Sequence, residues 1–184
     1  MATKTKWTID PAHTEIGFKV KHLMITNVKG IFTEYDGSIY TTGDDFKTAE
    51  VDFWMKPDSL ETKDQQRNTH LRSADFFDLE HYKEIRFASN TIEKVDDDGN
   101  FALWGELTIK DITKKIKLDV EFGGVIKDPW GAEKAGLTIT GKINRKDWGL
   151  VWNTALEAGG VLVGDTVTIT CDVELLKQEE IAVD

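Results

Sequence analysis

Residues 101–122 read FALWGELTIKDITKKIKLDVEF, and their period is two. Phe101, Leu103, Leu107 and Ile109 form one apolar set, with Glu106, Thr108 and Lys110 between them. Ile116, Leu118, Val120 and Phe122 form the next, alternating with Lys117, Asp119 and Glu121. Alternation over such lengths predicts strands with one buried and one wet face. Antiparallel sheets show this pattern, whereas buried parallel strands do not. The Asp111-Ile112-Thr113 link is short enough for a hairpin.

The same period recurs outward. Val167, Ile169, Cys171, Val173 and Leu175 alternate with Thr168, Thr170, Asp172 and Glu174. Similar runs lie at 16–22, 31–40, 49–55, 85–95 and 137–143. Asp97-Asp98-Gly99-Asn100 and Asp128-Pro129-Trp130-Gly131 supply turn chemistry between strands. About eight strands at near-regular spacing predict a sandwich or a barrel, and closure removes exposed edges.

One segment breaks the period. Thr62-Lys63-Asp64-Gln65 reads as a capping box, with helix over 63–72. Residues 153–163 contain Gly159-Gly160 and read as a loop with room for one helical turn. The tail 178–184 reads as frayed. With no linker or repeat, 1–184 is expected to be a single domain.

Composition narrows the function. The 184 residues are 40% hydrophobic and 30% charged, an ordinary globular balance. A formal net charge of -10 argues against a general nucleic-acid binder. It argues equally against an anionic membrane surface as main partner, although a local basic patch can exist within an acidic whole. No apolar run is long enough for a transmembrane helix. No secretory signal follows the first residues, so a cytoplasmic location is expected if the native chain starts here. The one cysteine, Cys171, sits on an apolar strand face and reads as a buried, inert thiol.

Catalytic patterns are missing from the sequence. There is no Gly-x-Ser-x-Gly, no HExxH, no Cys-x-x-Cys and no phosphate-loop fingerprint. No catalytic residue, no metal site and no required cofactor are therefore expected. The inward set on the strands is Phe18, Val20, Phe53, Leu103, Leu107, Leu118, Val120, Phe122, Ile139 and Val173. Such a set fits a solid core and a hollow one alike. Among the six tryptophans, Trp54 and Trp104 fall on the opposite parity. That parity fits packing under the helix, a homodimer contact or a ligand contact. Trp148 and Trp152 flank Gly149 and fit a barrel end.

The sequence resembles the YceI-like, lipocalin-like polyisoprenoid-binding proteins. The resemblance starts at Trp7-Thr-Ile-Asp10-Pro-Ala-His13-Thr-Glu-Ile-Gly-Phe18 and continues through Val20-Lys-His22-Leu and Val28-Lys-Gly30-Ile-Phe32. Its densest segment is Arg67-Asn-Thr-His70-Leu71-Arg72-Ser73-Ala-Asp75-Phe76-Phe77-Asp78. Ile85-Arg-Phe87, Gly105-Glu-Leu107-Thr108-Ile109 and Ile143-Asn144-Arg145-Lys-Asp147-Trp-Gly149 complete it. Thr14 stands where Ser is usual in that family, and Asn68 where Asp is common.

The resemblance implies an all-β fold: an extended antiparallel eight-stranded lipocalin-like barrel with one short α-helix packed beside it. It also implies an elongated apolar pore holding a long-chain isoprenoid, quinone or fatty-acyl lipid. The ten inward residues would then line the pore, and His13, Arg67, His70 and Arg72 would form a polar mouth for the headgroup. On the competing reading, Arg67, His70 and Arg72 fasten the helix to the barrel by pairing with Asp75 and Asp147. Binding, storage or transport is the leading function. An enzyme using His13 or His70 on a bound lipid, and a solid-barrel interaction protein, are the alternatives.

Overall fold

The computed structural model describes residues 2–157 and 159–183. The strands in chain order are β1 (Ala2–Ile9), β2 (Glu15–His22), β3 (Thr26–Phe32), β4 (Tyr35–Thr42), β5 (Asp45–Met55) and β6 (Leu60–Glu61). The helix α1 (Gln65–Arg72) follows. Then come β7 (Ile85–Lys94), β8 (Asn100–Ile109), β9 (Ile112–Lys127), β10 (Glu133–Asn144) and β11 (Val163–Val183).

Eight strands close a ring in the order β1-β4-β5-β7-β8-β9-β10-β11, sealed by the β1–β11 pairing. All pairings are antiparallel. The barrel splits along β11. Its first half pairs with β2 and its second with β1, so β2, β3 and β6 form a flap rising from the same seam.

The turns follow local chemistry. Asp96 Oδ1 accepts the amides of Asp98 and Asn100, and Gly99 supplies the positive φ of 87° that closes the β7–β8 hairpin. Asp128 Oδ1 does the same for Trp130 and Ala132 in the β9–β10 turn.

The structure revises four expectations. The run at 31–40 is two strands, broken at Thr33 and Glu34, where backbone bonds go to Ser59 and Lys56 instead of a ladder. The helix starts at Gln65, not 63, because Lys63 takes a left-handed φ of 66°. Its cap is Asp64, whose Oδ1 accepts the Arg67 amide at 3.1 Å, and Thr62 is used elsewhere. Of residues 153–163, Val163 already begins β11; the described residues before it form the expected loop, with one Ala155–Val161 bridge and no helical turn among them. The tail is not frayed through Val183: β11 stays paired with β1 up to Ala2–Val183, continuing the pairing that seals the barrel. Asp184 lies outside the described residues.

Two apolar clusters fill different levels of the barrel. Trp7, Ile39, Phe46, Ala49, Ala135 and Leu175 form the lower one. Phe46 bridges Trp7 and Phe122 at ring-centroid distances of 5.0 and 4.7 Å. Trp7 is fully buried and donates its indole N–H to Thr41 Oγ1 at 2.9 Å. These rings make an aromatic floor. The upper cluster surrounds the lumen and reaches Leu60, Phe76, Trp148 and Leu150 at the other end.

Candidate functional site

The register sets one end of the barrel apart. Met55 pairs with Ile85, Ile109 with Ile112, Asn144 with Thr166 and His22 with Val163. The helix α1 and the loop after β10 cover this end. Trp148 is buried there, and its indole N–H reaches the Leu107 carbonyl at 3.0 Å. Trp152 stands edge-on to His70 at 4.5 Å and tilts against Phe76 at 5.6 Å.

Between this end and the floor lies a cavity of about 580 Å³. That is inside the roughly 300–1,000 Å³ range of small-ligand sites. The ten inward residues, Phe18, Val20, Phe53, Leu103, Leu107, Leu118, Val120, Phe122, Ile139 and Val173, all lie along its wall. The polar residues of the lining are Lys21, His22, Asp64, Gln66, Arg67, His70 and Arg145. Every one belongs to the mouth end; the rest of the wall is apolar, glycine or Cys171. Burial pushes the Cys171 thiol up to about 11.

The four residues expected at the mouth divide. Arg67 and His70 line the cavity. Arg67 also ties α1 back to Thr62, donating Nε–H to its hydroxyl at 2.9 Å and an Nη2–H to its carbonyl at 2.7 Å. His70 Nε2 lies 2.8 Å from Asp75 Oδ2. Arg72 does not line the cavity. It donates to the Asp58 carbonyl at 2.8 Å and to the Leu60 carbonyl at 3.0 Å, so it fastens the end of α1 to the β5–β6 connection. Asp75 pairs as the anchoring reading required, but Asp147 has no ion-pair partner among the described residues.

His13 is not at the mouth. The strands β1 and β2 part from each other on β11, and His13 sits on the turn between them, on the barrel's outside. Its Nδ1 lies 2.9 Å from both Asp10 Oδ2 and Glu174 Oε2. The hydrogen bond to Asp10, then the charges of Glu174 and Asp10, raise its pKa. Lys134 Nζ stands 3.9 Å from each of the two carboxylates, so the chain supplies cations to this acidic pair itself. The Thr14 hydroxyl accepts the Glu174 amide at 3.1 Å and holds the same seam.

The burial of two polar residues escaped the sequence reading: Arg145 at the mouth, and Asn68, which lies off the cavity lining. Arg145 is 3% exposed, and it donates to the carbonyls of Gly164, Leu150 and Val163. Desolvation lowers its pKa. Arginine at a strand end reads as exposed, so only its place in the Ile143-Asn144-Arg145 motif hinted at a role. Asn68 is fully buried: its Oδ1 accepts from the Thr62 amide and hydroxyl, and its amide donates to Glu61. Trp54 and Trp104 lie on the outer face of the barrel, and neither lines the cavity. Trp54 pairs across with Asp36 and Arg86, and Lys115 Nζ lies 5.5 Å from the Trp104 ring centroid.

A model of the YceI-like domain matches residues 7–175. The chain belongs to the YceI-like family. A UPF0312 protein of Staphylococcus aureus is 37% identical over 171 residues, 92% of this chain and 96% of that one. The YceI protein of Campylobacter jejuni is 36% identical and superposes with a TM-score of 0.72, over 93% of this chain and 97% of that one. A polyisoprenoid-binding domain from Saccharophagus degradans shares the fold at 13% identity, with a TM-score of 0.67 over 94% and 98% of the two chains. This YceI-like barrel therefore combines a closed aromatic floor, an apolar wall and a mouth that gathers the polar lining.

Proposed function

We propose that this YceI-like protein is a non-catalytic carrier or store for a long-chain isoprenoid or similar amphiphilic lipid. The observation that carries the reading is the sorting of the lining. Polar residues stand only at the mouth, and the wall from there to Phe46 and Phe122 is apolar. A tail-first amphiphile fits that gradient, with its headgroup beside His22, Arg67, His70 and Arg145. A compact polar metabolite would leave its hydrogen-bonding groups unpaired against the wall.

Burial then supplies the affinity. Each CH₂ taken from water contributes about 0.8 kcal/mol, so a prenyl or acyl tail binds without specific polar contacts. Chain length is limited by the floor, and headgroup preference by the mouth. The polyisoprenoid binding of the Saccharophagus degradans domain, which shares the fold, supports a ligand of this class.

Native mass spectrometry tests the reading. The protein is purified from its own host, and added prenyl quinones and fatty acids of graded length are titrated in. One prenyl or acyl molecule per chain, with a cut-off in tail length, is expected. A clean apo mass with no uptake of either series overturns the proposal.

A further inference from the structure

The flap carries a charge pattern opposite to that of the molecule. The chain has a net charge of -10, yet residues 17–33 contain no Asp or Glu. They hold Lys19, Lys21, Lys29 and His22. Lys19 faces Lys29 directly across β2 and β3, a like-charge pairing that costs stability. The row extends in register through Thr168 on β11 to Lys142 on β10. None of these four lysines has a carboxylate within 4.0 Å among the described residues.

The tip of this ribbon is apolar. Leu23, Met24 and Ile25 are 38%, 52% and 80% exposed. Leu23 and Met24 both hold left-handed backbone, with φ of 53° and 62°. Turns of that shape select Gly, Asn or Asp, so two exposed apolar side chains there serve no need of the fold. Val151, 60% exposed, lies on the loop that covers the same end, next to the cavity residues Leu150 and Trp152. Exposed apolar residues also occur at the floor end, at Val95, Ile126 and Trp130, but there Asp96, Asp97 and Asp98 form the adjoining turn. At the mouth end the apolar tip adjoins four lysines without a carboxylate partner among the described residues, whereas at the floor end one such lysine, Lys127, stands beside Ile126 and the turn at 96–98 lies at the same end.

We infer that the β2–β3 ribbon docks on an anionic lipid bilayer. Leu23, Met24 and Ile25 enter the boundary between headgroups and acyl chains, and Lys19, Lys21, Lys29 and Lys142 meet the lipid phosphates. His22 pairs with Thr26 just behind the tip and with Val163 on β11, and both His22 and Val163 line the cavity, so docking brings the cavity mouth to the membrane. That last step rests on the lipid-carrier reading; the surface binding does not. The turn at 96–98 lies at the far end, where its charges are screened beyond about 8–10 Å, while at the mouth Asp165 is already paired with Arg145 and Lys146.

Vesicle flotation tests this with the full chain. Phosphatidylcholine vesicles are compared with vesicles carrying about 30 mol % phosphatidylglycerol. The protein is expected to float with the anionic vesicles and to be released as salt rises from about 0.05 to about 0.5 M. Combining Met24→Asp with Ile25→Asp is expected to lower the bound fraction at least about tenfold. Lys19→Gln with Lys29→Gln is expected to lower it about fivefold for each charge, on anionic vesicles only. Trp130→Asp, at the floor end, is expected to leave it unchanged. Circular dichroism checks that each variant folds.

No flotation of the parent protein on anionic vesicles overturns the inference. So does binding that survives the two aspartates at the tip, or binding that Trp130→Asp removes. Parallel titrations with a prenyl quinone and with a fatty acid, each delivered from ethanol, separate the two readings. Quinone uptake without flotation overturns docking and leaves the carrier standing. Flotation with no uptake of prenyl quinone or of fatty acid supports docking and overturns the carrier.

Discussion

Phe18 lies across Gly30 so closely that a Cβ on the glycine would sit 2.4 Å from the ring's Cζ. The two face each other across β2 and β3 on the inner side of the flap. The glycine lets the ring lie back against the wall and leaves the lumen clear. Phe87 and Gly105 repeat the arrangement, with a would-be Cβ 2.5 Å from Phe87 Cζ and 2.7 Å from the Ala88 carbonyl oxygen.

Gly30→Ala therefore pushes the Phe18 ring into the cavity. The ring end can move, so the expected cost is about 1–3 kcal/mol. Uptake of a prenyl quinone falls more than stability does, and adding Phe18→Leu restores it. Gly105→Ala meets main chain as well as a ring, so its thermal midpoint drops further than that of Gly30→Ala. Calorimetry beside a quinone titration checks both orders.

Cys171 is a reporter for the lumen. It is buried, it lines the cavity, and burial pushes its thiol up to about 11. The reactive thiolate is then scarce at neutral pH, and a disulfide reagent should label the native protein on the order of a hundredfold more slowly than the urea-unfolded chain. A bound prenyl quinone slows labelling again, whereas short-chain alcohols do not. Native labelling as fast as that of the unfolded chain would contradict the buried placement.

How far the sequence disclosed the molecule can be judged residue by residue. The inner wall was legible because period-two patterning is a backbone property: Leu118 and Val120 must share a face whatever their neighbours are. The mouth was only partly legible. Arg67 and His70 reach the cavity, but Arg72, two residues on, turns to the Asp58 and Leu60 carbonyls, and a helix of eight residues does not reveal which face meets the barrel. His13 was misplaced because the split of β11 between β1 and β2 is a long-range pairing with no local signature. Arg145 was missed because its partners are carbonyls, which every residue carries.

Arg145 gives the largest stability effect expected at the mouth. Its guanidinium satisfies the Gly164, Leu150 and Val163 carbonyls and stands 3.9 Å from Asp165. Arg145→Met removes the charge and strands those acceptors, at an expected cost of about 3–5 kcal/mol. Arg145→Lys recovers little, because one ammonium cannot span three carbonyls that a planar fork serves. Urea midpoints with unchanged slopes are the check.

His13 predicts a pH dependence. Its folded-state pKa is raised, chiefly by the bond to Asp10, while the Asp10 pKa is lowered by the same bond. A raised histidine stabilises the fold fully below its unfolded value of about 6.5 and ceases to do so as pH rises through the folded value. The gap in Tm between the parent protein and His13→Gln should be widest near pH 5.5 and close by about pH 9. The cluster is exposed, so the gap is small and narrows with salt. A gap that widens with pH would contradict the ion-pair assignment.

Arg72 separates anchoring from ligand recognition. Its Nε and Nη2 donate to the Asp58 carbonyl, its Nη2 also reaches the Leu60 carbonyl, and Asp58 Oδ1 stands 3.4 Å from Nε. A guanidinium so engaged, and off the cavity lining, has little left for a headgroup. Arg72→Ala should lower the thermal midpoint and leave the ratio of affinities for a prenyl pyrophosphate and the matching prenol unchanged. Arg67 lines the cavity, and its Nη1 is not used by Thr62. Arg67→Gln should therefore weaken the pyrophosphate more than the prenol, by about tenfold for the loss of a charge-assisted hydrogen bond. If Arg72→Ala instead changed the ratio and Arg67→Gln did not, the headgroup would lie over the β5–β6 connection and outside the cavity mouth.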